Sequence, residues 1–131
     1  MQRFVESAPK RGADAVTLDL EDSVPADAKH EARQQLRQHA DFLQEHGIGV
    51  IVRINRDLIN AVADLEAAIT DSVDAIMIPK AMGPEHVQLL AEVVSDLENQ
   101  RSLKPNRVRF IVLIETIKSL SMVNVIAQDV P

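Results

Sequence analysis

The sequence predicts an α/β protein in which parallel strands alternate with helices. Four short runs rich in valine and isoleucine are apolar at nearly every position, which is typical of strands buried on both faces of a parallel sheet. Segments with apolar residues three or four positions apart separate these runs and predict helices. Each strand is therefore expected to lead into a helix that returns the chain to the start of the next strand.

The predicted strands share an apolar middle and a polar or charged end. They are Asp14–Leu20, Gly49–Asn55, Asp74–Pro79 and Val108–Glu115. Their apolar character is continuous rather than alternating, and this favours burial on both faces over a half-exposed antiparallel sheet.

Helices are predicted between the strands and after the last one. The apolar positions that carry the helical spacing are Ala32, Leu36, Ala40 and Leu43, then Leu58, Val62, Leu65 and Ile69, then Leu90, Val93, Val94 and Leu97. A further helix is predicted over Ile117–Gln128. Gly12 and Gly47 stand where helices should end before a strand, and Gly83-Pro84 should begin the third inter-strand helix.

Length and composition are those of one ordinary globular domain. The chain has 131 residues, of which 46% are hydrophobic and 26% charged, and with three Phe and no Tyr or Trp its core must be aliphatic. Two architectures fit the repeated unit: an open doubly wound sheet and part of an eight-stranded barrel.

Charge and residue usage exclude several classes of function. A net charge of −6 argues against a nucleic-acid partner, and the absence of cysteine excludes disulfides, thiolate metal sites and cysteine nucleophiles. No apolar run approaches the roughly 18 residues of a membrane span, and no leader is evident. A cytoplasmic location with no membrane partner is the expectation.

Charged residues lie at the carboxyl end of each of the four predicted strands. A single charge at a strand end is commonly only the start of a solvated loop, but the carboxyl ends of parallel strands meet at one edge, where ligands bind in such folds. We therefore expect these side chains to converge on one site. They are Asp19, Glu21, Asp22, Arg53, Lys80 and Glu115.

The chemistry available to such a site is limited. Carboxylate oxygens without cysteine or histidine favour Mg²⁺, or Mn²⁺, over zinc. Arg53 is suited to a bidentate grip on a carboxylate or to stabilising an enolate oxygen, so an anionic substrate is expected. No set of nucleophile, base and orienting acid is evident for acyl transfer.

Other polar residues are interpreted as structural. His30, His39, His46 and His86 lie in helical or helix-end segments and are expected to be surface or packing residues. Ser23, beside the acidic cluster, is expected to cap the following helix.

Four motifs together resemble one known family. Residues 12–24 read GADAVTLDLEDSV, with Lys29 and Ala32-Arg33 after them; residues 52–55 read VRIN, residues 78–80 IPK and residues 113–116 LIET. Their order and spacing are similar to those of the citrate lyase β-subunit and malyl-CoA lyase family, within the HpcH/HpaI aldolase superfamily.

The resemblance implies a Mg²⁺-dependent carbon–carbon lyase with a (β/α)₈ barrel, usually a homo-oligomer. Such enzymes cleave or form a bond between an acyl-CoA and a 2-oxo acid. Glu115 would be a metal ligand, and Arg53 would contact the oxo acid and the enolate. Glu21 and Asp22 would orient the arginine and the metal waters, while Lys80 and Asp19 would belong to the substrate-binding network.

The resemblance also implies that residues 1–131 are a single, partial barrel domain. A barrel needs about 250 residues; the family's first strand, its last three β/α units and the second metal ligand, an aspartate, would lie outside this sequence. A fragment, a truncated gene product and half of an assembly are the hypotheses that follow.

Three other functions are alternatives to the lyase. A catalytically inactive barrel fragment or assembly subunit is one, and a pyruvate-type class II aldolase of the same superfamily is another. A phospho-receiver domain is disfavoured, because its third strand should lead to an aspartate whereas this one ends in Pro79-Lys80.

Overall fold

The computed structural model describes residues 2–129. The elements, in chain order, are α1 (Gln2–Ser7), β1 (Ala15–Asp19), α2 (Lys29–Glu45), β2 (Gly49–Arg53), α3 (Leu58–Ala68), β3 (Ala75–Ile78), α4 (Pro84–Gln100), β4 (Arg109–Val112), α5 (Ile117–Ser121) and α6 (Val123–Asp129). Short 3₁₀ turns, Ala8–Arg11 and Ala26–Ala28, precede β1 and α2. Among the described residues, no helix is both long enough and apolar enough to cross a membrane.

The four strands form one parallel sheet in the order β1-β2-β3-β4. The predicted α/β fold of parallel β/α units is therefore confirmed. A doubly wound sheet reverses its strand order at a switch point, whereas this sheet has no reversal among its four strands, as expected for part of a barrel.

The two faces of the sheet differ in burial. One row of aligned residues across the four strands is buried beneath the helices: Leu18, Val52, Ile76 and Phe110. Each such aliphatic side chain contributes roughly 1.5–3 kcal/mol to folding. The next row along the strands points to the opposite face and is only partly buried: Asp19, Arg53, Met77 and Ile111. Sheet register alone thus brings Asp19 beside Arg53.

The glycine predictions at the helix ends hold in the structure. Gly12 closes the first 3₁₀ turn in a left-handed conformation, with φ of 66°, and Gly83 precedes Pro84 at the start of α4 with φ of 146°. These backbone angles are strained for residues that carry a Cβ atom.

The single helix predicted over Ile117–Gln128 is wrong, because the chain breaks at Met122 into α5 and α6. The N–H of Met122 bonds to the carbonyls of Leu120 and Ser119 instead of the carbonyl four residues back. The break turns α6 so that Ile126 is buried at 2% exposure, while Ile117 stays 91% exposed.

Candidate active site at the carboxyl ends of the strands

The ends of β1 and β2 are joined by a bidentate ion pair between Asp19 and Arg53. Arg53 Nε donates to Asp19 Oδ1 at 2.8 Å, and Arg53 Nη2 donates to Asp19 Oδ2 at 2.5 Å. Both side chains are largely sheltered, with exposures of 25% for Arg53 and 15% for Asp19. This two-bond geometry fixes the plane of the guanidinium group.

The loop after β1 folds back over Asp19. The backbone N–H of Glu21 donates to Asp19 Oδ1 at 2.9 Å, that of Ser23 donates to Asp19 Oδ2 at 3.2 Å, and the Ser23 hydroxyl also donates to Oδ2. The prediction that Ser23 caps the next helix is wrong: the following 3₁₀ turn begins after Pro25 without a side-chain cap, and the Ser23 hydroxyl binds Asp19 instead.

Asp19 and Arg53 stabilise each other's charged forms. Burial works to raise the pKa of Asp19, but the hydrogen bonds from Arg53, Ser23 and the Glu21 amide outweigh it and hold that pKa well below its usual range. The hydrogen bond to Asp19 likewise raises the pKa of Arg53 further above its ordinary value. The pair therefore stays ionised across the pH range in which proteins fold.

Glu21 lies between the two cations of the site. Its side chain is 6% exposed; Oε1 accepts a hydrogen bond from Lys80 Nζ at 2.7 Å, and Oε2 lies 3.4 Å from Arg53 Nη1 without a hydrogen bond. Asp22 is exposed, and both of its carboxylate oxygens lie 3.2 Å from Lys80 Nζ. Hydrogen bonds from Lys80 to Glu21 and Asp22 raise the pKa of that lysine.

Lys80 also connects β3 to the residues after β4. Its backbone is left-handed, with φ of 48°, which is uncommon for a residue other than glycine. In that conformation its N–H donates to Glu115 Oε1 at 2.7 Å. Glu115 is exposed at the end of the sheet, and its second oxygen has no hydrogen-bond or ion-pair partner among the described residues.

The structure thus brings together all six residues that the sequence singled out. Asp19, Arg53, Glu21 and Lys80 form a continuous chain of ion pairs, and Asp22 and Glu115 join it through Lys80. The roles predicted for the six residues in catalysis, substrate binding and metal binding stay predictions.

The six residues form what we call the rim. Sequence reasoning missed a second polar cluster, which lies next to the rim. Lys29 Nζ donates to the carbonyls of Leu20 and Glu21 and to the side chain of Asn55, and Asn55 in turn donates to the fully buried carboxylate of Asp64. Lys29 and Asn55 belong to the motifs quoted above, so a signal for both was present. Asp64 gave no such signal, because a charged residue among apolar positions counts against a buried helix face.

The oxygen-only donor set fits Mg²⁺ in one respect. Among residues 2–129 there is no group of three or more acidic, histidine or cysteine side chains placed to hold a metal ion. Mg²⁺, however, is usually held by one or two carboxylates and completed by water and substrate oxygens. Glu115, with one unengaged carboxylate oxygen at the rim, fits that requirement, whereas Glu21 and Asp22 are engaged by Lys80.

The fold defines a β/α protein of the barrel type, with a cluster of acidic and basic side chains at the carboxyl ends of its strands. More specifically, a family model described as HpcH/HpaI aldolase/citrate lyase matches residues 1–131, and the chain belongs to that family. The resemblance inferred from the motifs is therefore confirmed.

Curated relatives include a (3S)-malyl-CoA thioesterase of Cereibacter sphaeroides, 37% identical over 97 residues, which covers 73% of this chain and 34% of the relative. An L-malyl-CoA/beta-methylmalyl-CoA lyase of the same organism is 32% identical over 134 residues, covering 96% of this chain and 41% of the relative. This chain thus spans about a third to two fifths of the length of the curated relatives it matches.

Solved structures of the family are similar to this fold. The citrate lyase beta subunit from M. tuberculosis, complexed with oxaloacetate and magnesium, is 30% identical with a TM-score of 0.68, covering 96% of this chain and 48% of that one. The protein CitE from Mycobacterium tuberculosis, in complex with magnesium and pyruvate, matches with the same identity and TM-score and is covered to 44%.

Proposed function

We propose that this protein is a Mg²⁺-dependent carbon–carbon lyase that cleaves or forms a bond between an acyl-CoA and a 2-oxo acid. The observation that carries the proposal is the fixed guanidinium of Arg53, held by Asp19 and Glu21 beside Lys80 and Glu115 at the ligand-binding edge of the sheet. Relatives named as malyl-CoA lyases, and relatives solved with magnesium and an oxo acid, support it.

Arg53 has the donors that the reaction needs. A guanidinium has five N–H donors. In Arg53, Nε and Nη2 each donate one hydrogen bond to Asp19, and one side of Nη1 is taken up by Glu21 Oε2, which lies 3.4 Å away. Two donors remain for an anionic ligand. Cleavage of a 3-carboxy-3-hydroxyacyl-CoA such as malyl-CoA removes the hydroxyl proton and breaks the C2–C3 bond. It leaves a 2-oxo acid and the enolate of the shortened acyl-CoA, which takes up a proton to become the acyl-CoA. Donors fixed before the reaction stabilise the negative charge that develops.

Asp19 and Glu21 keep the Arg53 guanidinium in place while negative charge develops on the ligand during cleavage. Because the Asp19 pair is bidentate, Arg53 cannot rotate toward solvent without breaking two charged hydrogen bonds. Glu115 would hold Mg²⁺ through its unengaged oxygen. A cation held there would polarise the oxo acid carbonyl as a Lewis acid.

The test is Mg²⁺-dependent turnover of malyl-CoA by the purified protein, with glyoxylate and acetyl-CoA measured as products. We expect turnover to stop when EDTA removes the metal and to return with added Mg²⁺. Arg53→Ala should lower kcat/KM by about 100-fold or more, and Arg53→Lys should not restore it, because lysine lacks the bidentate fork.

Arg37→Ala is the matched control for a lost arginine. Its side chain on α2 is 70% exposed, and its ion pair is a long surface contact of 3.8 Å between Nε and Asp41 Oδ2. Such pairs contribute little, so turnover should match the wild type. Equal rates for wild type and Arg53→Ala would refute the role given to Arg53, and absence of all metal-dependent turnover would refute the lyase.

Hydrolysis of the thioester is a second candidate, because a relative with 37% identity is named as a malyl-CoA thioesterase. The two reactions differ in their products: a thioesterase releases malate and free CoA, whereas a lyase releases glyoxylate and acetyl-CoA. A pyruvate-type aldolase would instead act on free 2-oxo acids without CoA. A folded protein inactive in all three assays would support the inactive-barrel alternative.

A further inference from the structure

We propose that Lys29, Asn55 and Asp64, together with Arg33, form a polar latch that positions Glu21 between Arg53 and Lys80. The polar latch touches none of the rim's free donors, so its members are positioning residues and not catalytic ones. Its effect on turnover rests on the proposed lyase function, whereas its effect on the position of the loop after β1 does not.

Lys29 holds the backbone of this loop directly. Its ammonium group has three N–H donors, and all three are used: they reach the carbonyl oxygens of Leu20 at 2.9 Å and Glu21 at 3.0 Å, and Asn55 Oδ1 at 2.7 Å. Two successive carbonyls on one cation fix the direction of the chain at Glu21. Lys29 is the first residue of α2, so the loop is tied to the start of a rigid helix.

Asn55 and Asp64 orient the lysine from the opposite side. The Asn55 amide nitrogen donates to the Leu20 carbonyl at 2.8 Å and to Asp64 Oδ2 at 2.7 Å, so its oxygen must face Lys29. The Asn55 backbone N–H also donates to Asp64 Oδ2 at 2.7 Å. Asp64 is completely buried, and burial of a polar group costs free energy unless hydrogen bonds such as these compensate it.

Arg33 completes the polar latch and ties it to both helices. Arg33 Nε on α2 donates to Asp64 Oδ1 on α3 at 2.7 Å, and Arg33 Nη2 donates to Asn60 Oδ1 at 2.7 Å. Asp64 thus accepts from the end of β2 and from α2 at once. Loss of one partner would leave a buried oxygen of Asp64 with fewer hydrogen bonds, which is costly for a group buried away from solvent.

Glu21 depends on this backbone support because its own side chain is poorly satisfied. Glu21 is 6% exposed, yet its Oε2 has no hydrogen bond and only the 3.4 Å contact with Arg53. A buried carboxylate oxygen without a hydrogen bond favours movement of the loop toward water. The hold of Lys29 on the Leu20 and Glu21 carbonyls opposes that movement.

Amide hydrogen exchange of Lys29→Met tests the inference without any substrate. We expect the amides of Glu21 and Val24, which donate to Asp19 and to the Glu21 carbonyl, to exchange about tenfold faster than in the wild type. The Leu113 amide, which donates to Ile78 in the sheet, should change less than threefold. Arg37→Met, a lost cation on the exposed face of the same helix, should leave all three amides unchanged.

Unchanged exchange at Glu21 and Val24 in Lys29→Met would overturn the inference, as would an equal acceleration at Leu113, which would mean only a general loss of stability. If Lys29→Met does not fold, NMR measurements of ammonium proton exchange in the wild type test the inference instead. The Lys29 ammonium protons should exchange more slowly than those of the exposed Lys118, and equal rates would overturn the inference.

Kinetics then separate this inference from the proposed function. In a turning-over wild type, Lys29→Met should lower kcat about tenfold with KM within threefold, and Arg37→Met should match the wild type. A loss confined to KM would overturn the positioning role. A wild type that turns over no acyl-CoA contradicts the lyase proposal, while the exchange result still decides whether the polar latch holds Glu21.

Discussion

Replacing Asp19 by asparagine tests whether the Asp19–Arg53 pair stabilises the fold as well as the site. Asparagine keeps the size of the side chain but turns one acceptor oxygen into an amide that faces the guanidinium or Ser23. Removing one partner of a buried pair costs about 3–5 kcal/mol. Because the two side chains are 25% and 15% exposed, we expect a smaller loss of about 2–3 kcal/mol in the free energy of unfolding.

Urea denaturation measures this loss. With a slope of about 2 kcal/mol per molar urea, the midpoint of Asp19→Asn should fall by about 1–1.5 M. Arg37→Met, which removes only an exposed 3.8 Å pair, should shift the midpoint by less than about 0.3 M. In a double-mutant cycle, Asp19→Asn and Arg53→Met together should cost clearly less than the sum of the two single losses.

The pH dependence supplies an independent check. Because the pKa of Asp19 is held below its usual range, the stability it contributes is fully present above its unfolded value of about 3.9 and is lost as the pH falls toward its folded value. The difference between wild type and Asp19→Asn should therefore be constant above pH 5 and shrink below about pH 4. A midpoint for Asp19→Asn within 0.3 M of the wild type at pH 7 would refute this reasoning.

Three further predictions concern packing and titration. Ile76→Ala, at a fully buried position in β3, should cost about 2–5 kcal/mol of unfolding free energy by thermal melting, while Ile59→Ala, at 86% exposure, should stay within about 0.5 kcal/mol. Gly83→Ala should lose about 1–3 kcal/mol in the same assay, because φ is 146° and an added Cβ would approach Met122 Cε to 3.2 Å; a neutral result would contradict that strain. Burial lowers the pKa of His39, so as the pH falls below about 6.5 the unfolded chain binds this proton before the folded one does, and stability declines. In His39→Leu the decline in stability between pH 7 and pH 5 should be shallower. An identical pH profile would show that His39 does not contribute to the decline.

The strand cores and the membership of the rim could be predicted from the sequence. Runs that are apolar at every position allow few alternatives to a doubly covered strand, and parallel strands deliver their carboxyl ends to one edge whatever the loops do. The pairing of Asp19 with Arg53 follows from register alone. The prediction that residues 1–131 form one partial barrel domain stays a prediction, as do a homo-oligomer, a cytoplasmic location and the use of Mn²⁺.

Helix α3 shows where pattern reading failed. Of the predicted apolar face, Leu65 and Ile69 are buried as expected, but Leu58 is 50% exposed. The buried face also carries Ala61 and Asp64, which the pattern did not include. Asp64 hid this face, because a charge among buried positions counts against it in any hydropathy pattern. Only contacts with Arg33 and Asn55, distant in sequence, make its burial favourable.

The backbone of Lys80 was equally out of reach. Nothing in the residues around it requires a left-handed conformation, and its neighbour Pro79 restricts only its own φ and the residue before it. The conformation goes with the hydrogen bond from the Lys80 amide to Glu115, 35 residues away.

The left-handed backbone of Lys80 allows this one residue to connect the two sides of the rim. Its amide donates to Glu115 after β4, and its ammonium donates to Glu21 and Asp22 after β1, so one residue joins the carboxylates at both sides of the sheet. Because only Oε1 of Glu115 accepts the hydrogen bond from the Lys80 amide, a cation held by the other oxygen would leave that bond and the left-handed turn in place.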